Sequence, residues 1–490
     1  MRRMNRNAGL RYITLTGILL GSALLLGCGR WGSTGKLPVV QDEQYLVGAH
    51  YYMWFPRNFR HGFLRGRLSP KQEPVLGLYD SQDVAVVEQH IAWCSRYGID
   101  FLTLDWWPST KKRETLIPNA ILEARNIGDI KFCIFYETWA LGFDAMIGAT
   151  ELDEAATARM INDLTRIADG LFDHPSYLRI DGRPVVVLYL TRTLTGPFAE
   201  AIARVRSALA ERGHDVFLLG DEIFWKVSPV VPPGVTPHPL VEEPQVARIE
   251  LLDAITAYNM YENAHTNQRG YGAESTFMQD VGATYADYRE ASREGAYFVP
   301  GILPGYNDRG VRLNVNHYTI PRQWSPDAAE GSFFEEAFDR LGFPHMDERL
   351  NMLLITSFNE WNEDTAIEPL RSATASSKDG SRSGKAYTEG FTYSGFERRY
   401  LEVVRDKVVA VSGRVTREDG RPVAGQQLKI EQKRKSFSVE TDSDGYYRIS
   451  RLAVTPGPCT LQLQGVRERR VVEVPASGCL TGIDWGAEQD

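Results

Sequence analysis

At 490 residues the chain is too long for one small domain and suits one large domain with a smaller companion. Its 43% apolar and 24% charged residues allow a large core and exclude a disordered chain. A formal net charge of −8 argues against a nucleic-acid partner, because phosphate-binding domains carry a basic excess.

Arg2, Arg3, Arg6 and Arg11 precede an apolar run from Ile13 to Leu26, which reads as a signal sequence over residues 1–27. The segment Leu24-Leu25-Leu26-Gly27-Cys28 resembles the lipobox of bacterial lipoproteins. That resemblance implies a lipid on Cys28, and Gly29 in place of an Asp implies the outer membrane. Such a lipid would anchor the chain in the cell envelope without a spanning helix. Residues 28–44 begin small and polar and read as a tether.

From residue 45 to 407, short apolar runs alternate with helical patterns. The runs are Leu46–Met53, Ile99–Asp105, Lys131–Glu137, Pro184–Tyr189, Val216–Gly220, Leu251–Tyr258, Ala296–Ile302 and Met352–Phe358. Most lack alternation, as expected of parallel strands covered on both faces. Val84, Val87, Ile91 and Cys94 share a helical face, with Ser81 near its start and Gly98 as its stop. Met160, Leu164, Ile167 and Leu171 share another, as do Ile202, Val205 and Leu209 between Pro197 and Gly213. Eight strand–helix repeats predict an α/β fold, a (β/α)8 TIM barrel. No G-x-G-x-x-G follows the first strand, which removes the usual reason to prefer a doubly wound sheet.

A barrel demands that chemistry gather at the C-terminal ends of its strands. Those ends read His50-Tyr51-Tyr52-Met53-Trp54, Asp105-Trp106-Trp107, Tyr136-Glu137-Thr138-Trp139 and Asp221-Glu222. Tyr258, Tyr306 and the run Asn359-Glu360-Trp361-Asn362-Glu363 follow in the same way. Asp105 with Trp106 and Trp107 suggests a sugar platform, against rim packing as the alternative. No Cys or His cluster has metal-ligand spacing, so neither metal nor cofactor is expected.

Ser372 to Gly384 is rich in Ser and reads as an exposed loop before a last helix. Residues 408–490 show short alternating stretches parted by the turn signals Glu418-Asp419-Gly420, Asp442-Ser443-Asp444-Gly445 and Thr455-Pro456-Gly457. That pattern predicts a small all-β sandwich. Ser412-Gly413-Arg414-Val415 and Gly420-Arg421-Pro422-Val423-Ala424-Gly425 resemble the carboxypeptidase-regulatory-like domain, a transthyretin-like sandwich, which implies an accessory role. The Asp-rich turn lacks a full calcium ligand set and reads as a plain turn. Cys459 and Cys479 share this region and could pair; Cys94 and Cys133 read as buried thiols.

Glu360 and Glu363, three residues apart after the eighth run, would share one face of a helical turn. Glycoside hydrolysis needs two such carboxyls, one to protonate the leaving oxygen and one on the opposite face. Trp361 between them can wall the site. By spacing alone the pair could equally cap a helix N-terminus.

Ser357-Phe358-Asn359-Glu360-Trp361-Asn362-Glu363-Asp364-Thr365-Ala366-Ile367-Glu368-Pro369 resembles the S-F-N-E-W-H-E-G-T-x-I-E-P signature of glycoside hydrolase family 99, the endo-α-mannosidases and endo-α-mannanases. Tyr51-Tyr52 with Trp54, Gly77-Leu78-Tyr79-Asp80-Ser81 with Asp83, and Pro304-Gly305-Tyr306 with Asn316-His317 are similar to further landmarks of that family, in the same order. The resemblance spans Tyr45 to Arg405. It implies a retaining, endo-acting α-glycosidase on a mannose-containing polysaccharide. Glu360 would be the base on the substrate's own 2-hydroxyl, giving a 1,2-anhydro sugar, and Glu363 the acid and then the base. Tyr51, Tyr52, Trp54, Asp105, Trp106, Glu137, Tyr258, Tyr306, Asn359 and Trp361 are the expected substrate-binding residues. Asn362 and Asp364 stand where the family carries His and Gly. Two other readings stay open: a non-catalytic surface glycan-binding lipoprotein, and a polysaccharide-assembly, glycosyltransferase-like enzyme. Sugar identity, linkage and oligomeric state are not set by the sequence.

Overall fold

The eight apolar runs all form strands, and they close into a ring. The structure is a computed structural model that describes residues 43–107, 119–144, 148–224, 243–263, 270–312 and 319–487. The leader, Cys28, Asn316 and His317 lie outside the described residues.

The barrel strands are β1 (Leu46–Tyr51), β2 (Phe101–Trp106), β3 (Lys131–Tyr136), β4 (Arg183–Leu188), β5 (Phe217–Asp221), β6 (Ala254–Thr256), β7 (Tyr297–Val299 and Gly301–Ile302) and β8 (Met352–Ile355). Each pairs in parallel with its sequence neighbour, and β8 returns to β1 through Leu46 opposite Met352. A short strand, Arg179–Ile180, adds antiparallel to β4.

Pro300 splits β7 because it has no N–H to give the ladder. The first half pairs with β6 and the second with β8, while the Pro300 carbonyl still accepts from Leu354 N at 3.0 Å. The sixth strand is shorter than its apolar run. Asp253 interrupts it with a carboxylate that accepts from Leu218 N and pairs with Arg183 and Arg206. Gly48 is forced: a Cβ there would sit 2.2 Å from the Phe101 ring and 2.7 Å from Leu354.

Helices cover the ring as the periodicity predicts. α1 (Val84–Tyr97) starts at Asp83, whose side chain accepts from Ala85 N at 3.0 Å, and ends at Gly98 with φ of 95°. Asp83, not Ser81, is therefore the cap; Ser81 Oγ instead accepts from Phe55 N. α2 (Glu154–Ile167) buries Met160 and Leu164, then runs on as a π-helical turn over Ala168–Phe172 that buries Leu171. α3 (Phe198–Ala210) follows Pro197 and buries Ile202, Val205 and Leu209.

The segment expected as an exposed loop behaves differently. β9 (Leu370–Ser376) pairs antiparallel with β10 (Tyr393–Glu397), so Ser372 to Ser376 belong to a hairpin. α4 (Arg399–Val408) then buries Tyr400, Leu401 and Val404 and runs straight into the C-terminal sandwich.

That sandwich packs β11 (Val409–Arg417), β14 (Tyr446–Ser450) and β17 (Trp485–Ala487) against β12 (Gln427–Gln432), β13 (Lys435–Glu440), β15 (Gly457–Leu463) and β16 (Arg470–Val474). Alternate residues such as Val411, Leu428, Ile430 and Leu461 fill its core. Cys459 and Cys479 are free: one points into that core, and the other lies beside Ser412 Oγ at 3.6 Å. Cys94 and Cys133 are buried thiols.

The Asp-rich turn docks the sandwich on the barrel. Asp442 accepts from Ser95 Oγ at 2.8 Å, Ser443 N donates to Asp129 at 3.0 Å, and Arg448 pairs with Asp100 at 2.7 Å. Asp100 and Asp129 lie one and two residues before β2 and β3, so the sandwich sits at the N-terminal face of the barrel. The opposite face carries the strand ends rich in acids and aromatics.

Candidate active site

A cavity of about 470 Å³ opens at the C-terminal face of the barrel. Glu360 and Glu363 line it with Glu137, Arg312, Asn259 and a wall of Tyr and Trp side chains. These groups come from at least six strand ends, as one compact site on a barrel requires.

The segment after β8 brings the two glutamates together without a helix. Ser357 N donates to Thr365 O, Ile367 N to Ser357 O, and the Ser357 and Thr365 hydroxyls meet at 2.9 Å. The chain between them is a tight turn in which Thr365 N reaches Glu360 O. The helical turn expected for the pair is replaced by this pinned loop, and no helix follows for the acids to cap.

Asp364 turns the chain with φ of 51°, where the family resemblance has Gly. Its carboxylate compensates for the strain. Arg65 Nε donates at 2.6 Å and Arg322 Nε at 3.1 Å, while Arg322 Nη2 also holds the Asp364 carbonyl at 2.6 Å. All three side chains are buried.

Glu360 is buried, and its Oε1 accepts from Asn362 N at 2.8 Å. Burial and the nearby Glu363 push its carboxyl well above the usual range. Burial also raises Glu363, against the opposing pull of Arg312, whose Nη1 donates to Glu363 Oε1 at 3.2 Å and to Asp308 Oδ2 at 2.7 Å. Tyr261 Oη lies 3.5 Å from the other Glu363 oxygen and donates at 2.7 Å to Asn259, which itself donates to Asp221. Burial brings Asp221 up to about 7.

A second acid pair faces the first. The Asp105 and Glu137 carboxyls hydrogen-bond each other, and burial followed by Asp105 raises Glu137 well above its ordinary value. Trp107 Nε1 donates to Asp105 at 3.0 Å. A carboxyl pushed towards its protonated form beside a second carboxyl can donate as well as accept a hydrogen bond. Tyr52 and Tyr258 share a 2.5 Å hydrogen bond, and Tyr52 stacks on Trp54 with ring centroids 4.5 Å apart. Beneath them His50 bonds Thr103 at 2.7 Å, and burial pushes its imidazole down to about 3, so it stays neutral.

Not every expected residue reaches the cavity. Tyr52, Trp54, Glu137, Tyr258, Glu360 and Glu363 line it, and Asp105 supports it through Glu137 and Trp107. Tyr51 faces outward, because neighbours on a strand point to opposite sides; its hydroxyl meets His90 on α1 at 2.8 Å. Trp106 likewise faces out and stacks on Tyr136, and Trp107 lines the cavity instead. Trp361 is fully buried and donates to Glu368 at 2.9 Å, so it props the loop from behind. Tyr79 and His90 complete that buried network around Glu368. Asn359 bridges the Tyr52 backbone through both its amide atoms at 2.8 Å. Tyr306 stacks on Tyr261 with centroids 4.0 Å apart, one layer behind the wall. Arg312, Asn259 and Tyr261 were missed; only the position of Asn259 and Tyr261 just after Tyr258 could have signalled them.

Comparison with known proteins agrees with this architecture. Residues 59–376 match the family model described as glycosyltransferase WbsX, and residues 410–478 match the carboxypeptidase regulatory-like domain. The chain is 24% identical over 355 residues to the glycoprotein endo-alpha-1,2-mannosidase of Mus musculus, covering 67% of this chain and 64% of that protein. It is 26% identical over 347 residues to a glycoprotein endo-alpha-1,2-mannosidase-like protein of Danio rerio, covering 67% of each. The chain thus spans about two thirds of the length of these curated relatives. Among solved structures it resembles a glycoside hydrolase-like protein with a TM-score of 0.53 and 20% identity, covering 76% of this chain and 96% of the other, a likeness of fold.

Proposed function

This chain belongs to the family described as glycosyltransferase WbsX, and from its cavity and its endo-alpha-1,2-mannosidase relatives we propose that it is a retaining, endo-acting α-glycosidase on a mannose-containing polysaccharide. One observation carries this reading: Glu360 and Glu363 lie in one aromatic-walled cavity, with burial raising both carboxyls.

Glu360 takes the proton of the substrate 2-hydroxyl. The freed oxygen bonds the anomeric carbon as the glycosidic bond breaks, and Glu363 protonates the leaving oxygen. Glu363 then takes a proton from water, whose oxygen opens the 1,2-anhydro ring, and Glu360 returns its proton to the 2-oxygen. Two inversions give net retention. Asp105 and Glu137 hold hydroxyls of the bound sugar, while Trp54, Trp107 and Tyr258 provide stacking faces.

Incubation with a panel of α-linked mannans and surface polysaccharides, followed by sizing of the products, tests the proposal. Internal cleavage to oligosaccharides is expected, and a panel left intact after long incubation contradicts it. The family description favours a second reading, in which an acceptor hydroxyl replaces water in the second step. An added acceptor would then appear in lengthened products.

The working state carries one proton across the pair, so kcat/KM should fall on both sides of an optimum. Burial raises both groups, which places the acidic limb above the ordinary glutamate value of about 4.3. An acidic limb at or below that value in a pH–rate profile contradicts the pairing.

Acylation of Cys28 would put the enzyme outside the cytoplasm. Glu43 pairs with Lys435 of the sandwich, at the face of the barrel opposite the cavity. Labelled palmitate should enter the wild-type protein and not Cys28→Ala; equal labelling of both removes the anchor.

A further inference from the structure

Arg312 is a cation set against the one group that the proposed reaction needs protonated. Its Nη1 serves two carboxylates, Asp308 at 2.7 Å and Glu363 at 3.2 Å. Asp308 is fully buried, whereas the Arg312 side chain is 43% exposed and lines the cavity. A guanidinium has five N–H donors. Among the described residues, Arg312 Nε and Nη2 donate no hydrogen bond, so a half-exposed charge with donors that no described residue takes stands at the mouth of the site.

The same contact disturbs the division of labour between the glutamates. A cation beside Glu363 favours its carboxylate, while among the described residues the Asn362 amide is the donor to the Glu360 side chain. The contact therefore biases the shared proton towards Glu360, the reverse of what leaving-group protonation requires. Something must weaken the Arg312–Glu363 contact when substrate binds. Asp308 holds Nη1 from a fully buried position and so stays fixed in the protein.

We propose that Arg312 determines specificity for an anionic glycan: a carboxylate or phosphate on a sugar next to the cleaved bond takes the Nε and Nη2 donors of the guanidinium, draws Arg312 off Glu363, and leaves Glu363 free to carry the proton. Arginine suits this because its planar fork binds carboxylate or phosphate through two parallel hydrogen bonds. Asp308 serves as the pivot that retains Arg312 during the exchange. The inference rests on the glycosidase reading and narrows its substrate class.

The test compares matched α-linked mannose oligosaccharides, one neutral, one bearing a uronic acid and one bearing phosphate, with wild type, Arg312→Gln and Arg312→Lys. Wild type should cleave an anionic form with kcat/KM higher by about tenfold or more, the worth of a charged hydrogen-bonded contact. The gain should appear in kcat as well as KM, since Glu363 is activated as well as substrate held. Arg312→Gln should lose the preference, bringing the forms within about twofold of each other, and Arg312→Lys should restore part of it. Equal cleavage of all forms by wild type, or a preference intact in Arg312→Gln, overturns the proposal. If wild type cleaves none of the forms, the glycosidase reading fails separately. Equilibrium binding of the same oligosaccharides then decides on Arg312: tighter binding of an anionic form that Arg312→Gln abolishes supports it, and equal binding of all forms overturns it.

Discussion

Glu363→Gln and Glu360→Gln are each expected to lower kcat on a natural glycan by about 10²–10⁴-fold, the usual worth of a general acid or base. Both substitutions keep shape, and a Gln at either position keeps an Oε1 that can accept the Asn362 or Arg312 hydrogen bond. The Ser357–Thr365 contacts and the Asp364 cluster also hold the loop, so both variants should fold. The two losses should differ in kind. Glu363 protonates the leaving oxygen, so an aryl glycoside with an acidic leaving group should rescue the first step in Glu363→Gln. The same substrate should not rescue Glu360→Gln, because the 2-hydroxyl still needs its base. Full activity in either variant, measured on purified protein, removes that residue from the chemistry.

Asp364→Ala is expected to destabilise the fold by about 3–5 kcal/mol, the cost of leaving buried charges without their partner. Arg65 is fully buried and Arg322 nearly so, and Asp364 is the carboxylate both share. Glu330 contacts Arg65 only at 3.5 Å and offers partial relief. Asp364→Gly separates two causes. It relieves the left-handed backbone at φ 51° yet still strands both guanidiniums. It should therefore also destabilise strongly, somewhat less than Ala. Urea midpoints at unchanged slope would measure this. A shift worth less than about 1 kcal/mol would place this cluster among weakly contributing ion pairs.

This cluster also explains the departure at Asp364 from the family 99 signature that the segment resembles. Glycine suits a left-handed turn because it has no Cβ. This chain spends an aspartate there and ties it down with Arg65, which precedes it by 299 positions, and Arg322. Asn362, where the family 99 signature has His, puts its side-chain nitrogen on His61 O at 3.3 Å and keeps its backbone N–H on Glu360.

The barrel was legible because parallel strands buried on both faces leave unbroken apolar runs, as in Val185-Val186-Val187-Leu188. The position of the site was legible for the same reason, since strand ends are where such runs stop. Which side chains turn inward was not. Tyr51 and Tyr52 differ only in the parity of one strand, and Trp106 and Trp107 only in where β2 ends. Trp361 looked like a wall between two acids, but Glu368 on its own loop holds its indole inside the protein. Arg312 comes from a segment 51 positions before Glu363, and nothing local marks it as that residue's partner. Whether Cys459 and Cys479 pair was open in the sequence for a like reason: proximity along the chain does not put two thiols on facing surfaces of a sandwich, and both are free.

Proton NMR of the anomeric signals during cleavage of an α-linked mannan oligosaccharide tests the central claim most directly. If Glu360 and Glu363 act through a 1,2-anhydro sugar, the α-anomer of the new reducing end appears first and mutarotates to the mixture later. First appearance of the β-anomer would mean a single displacement by water, and would contradict the roles assigned to Glu360 and Glu363.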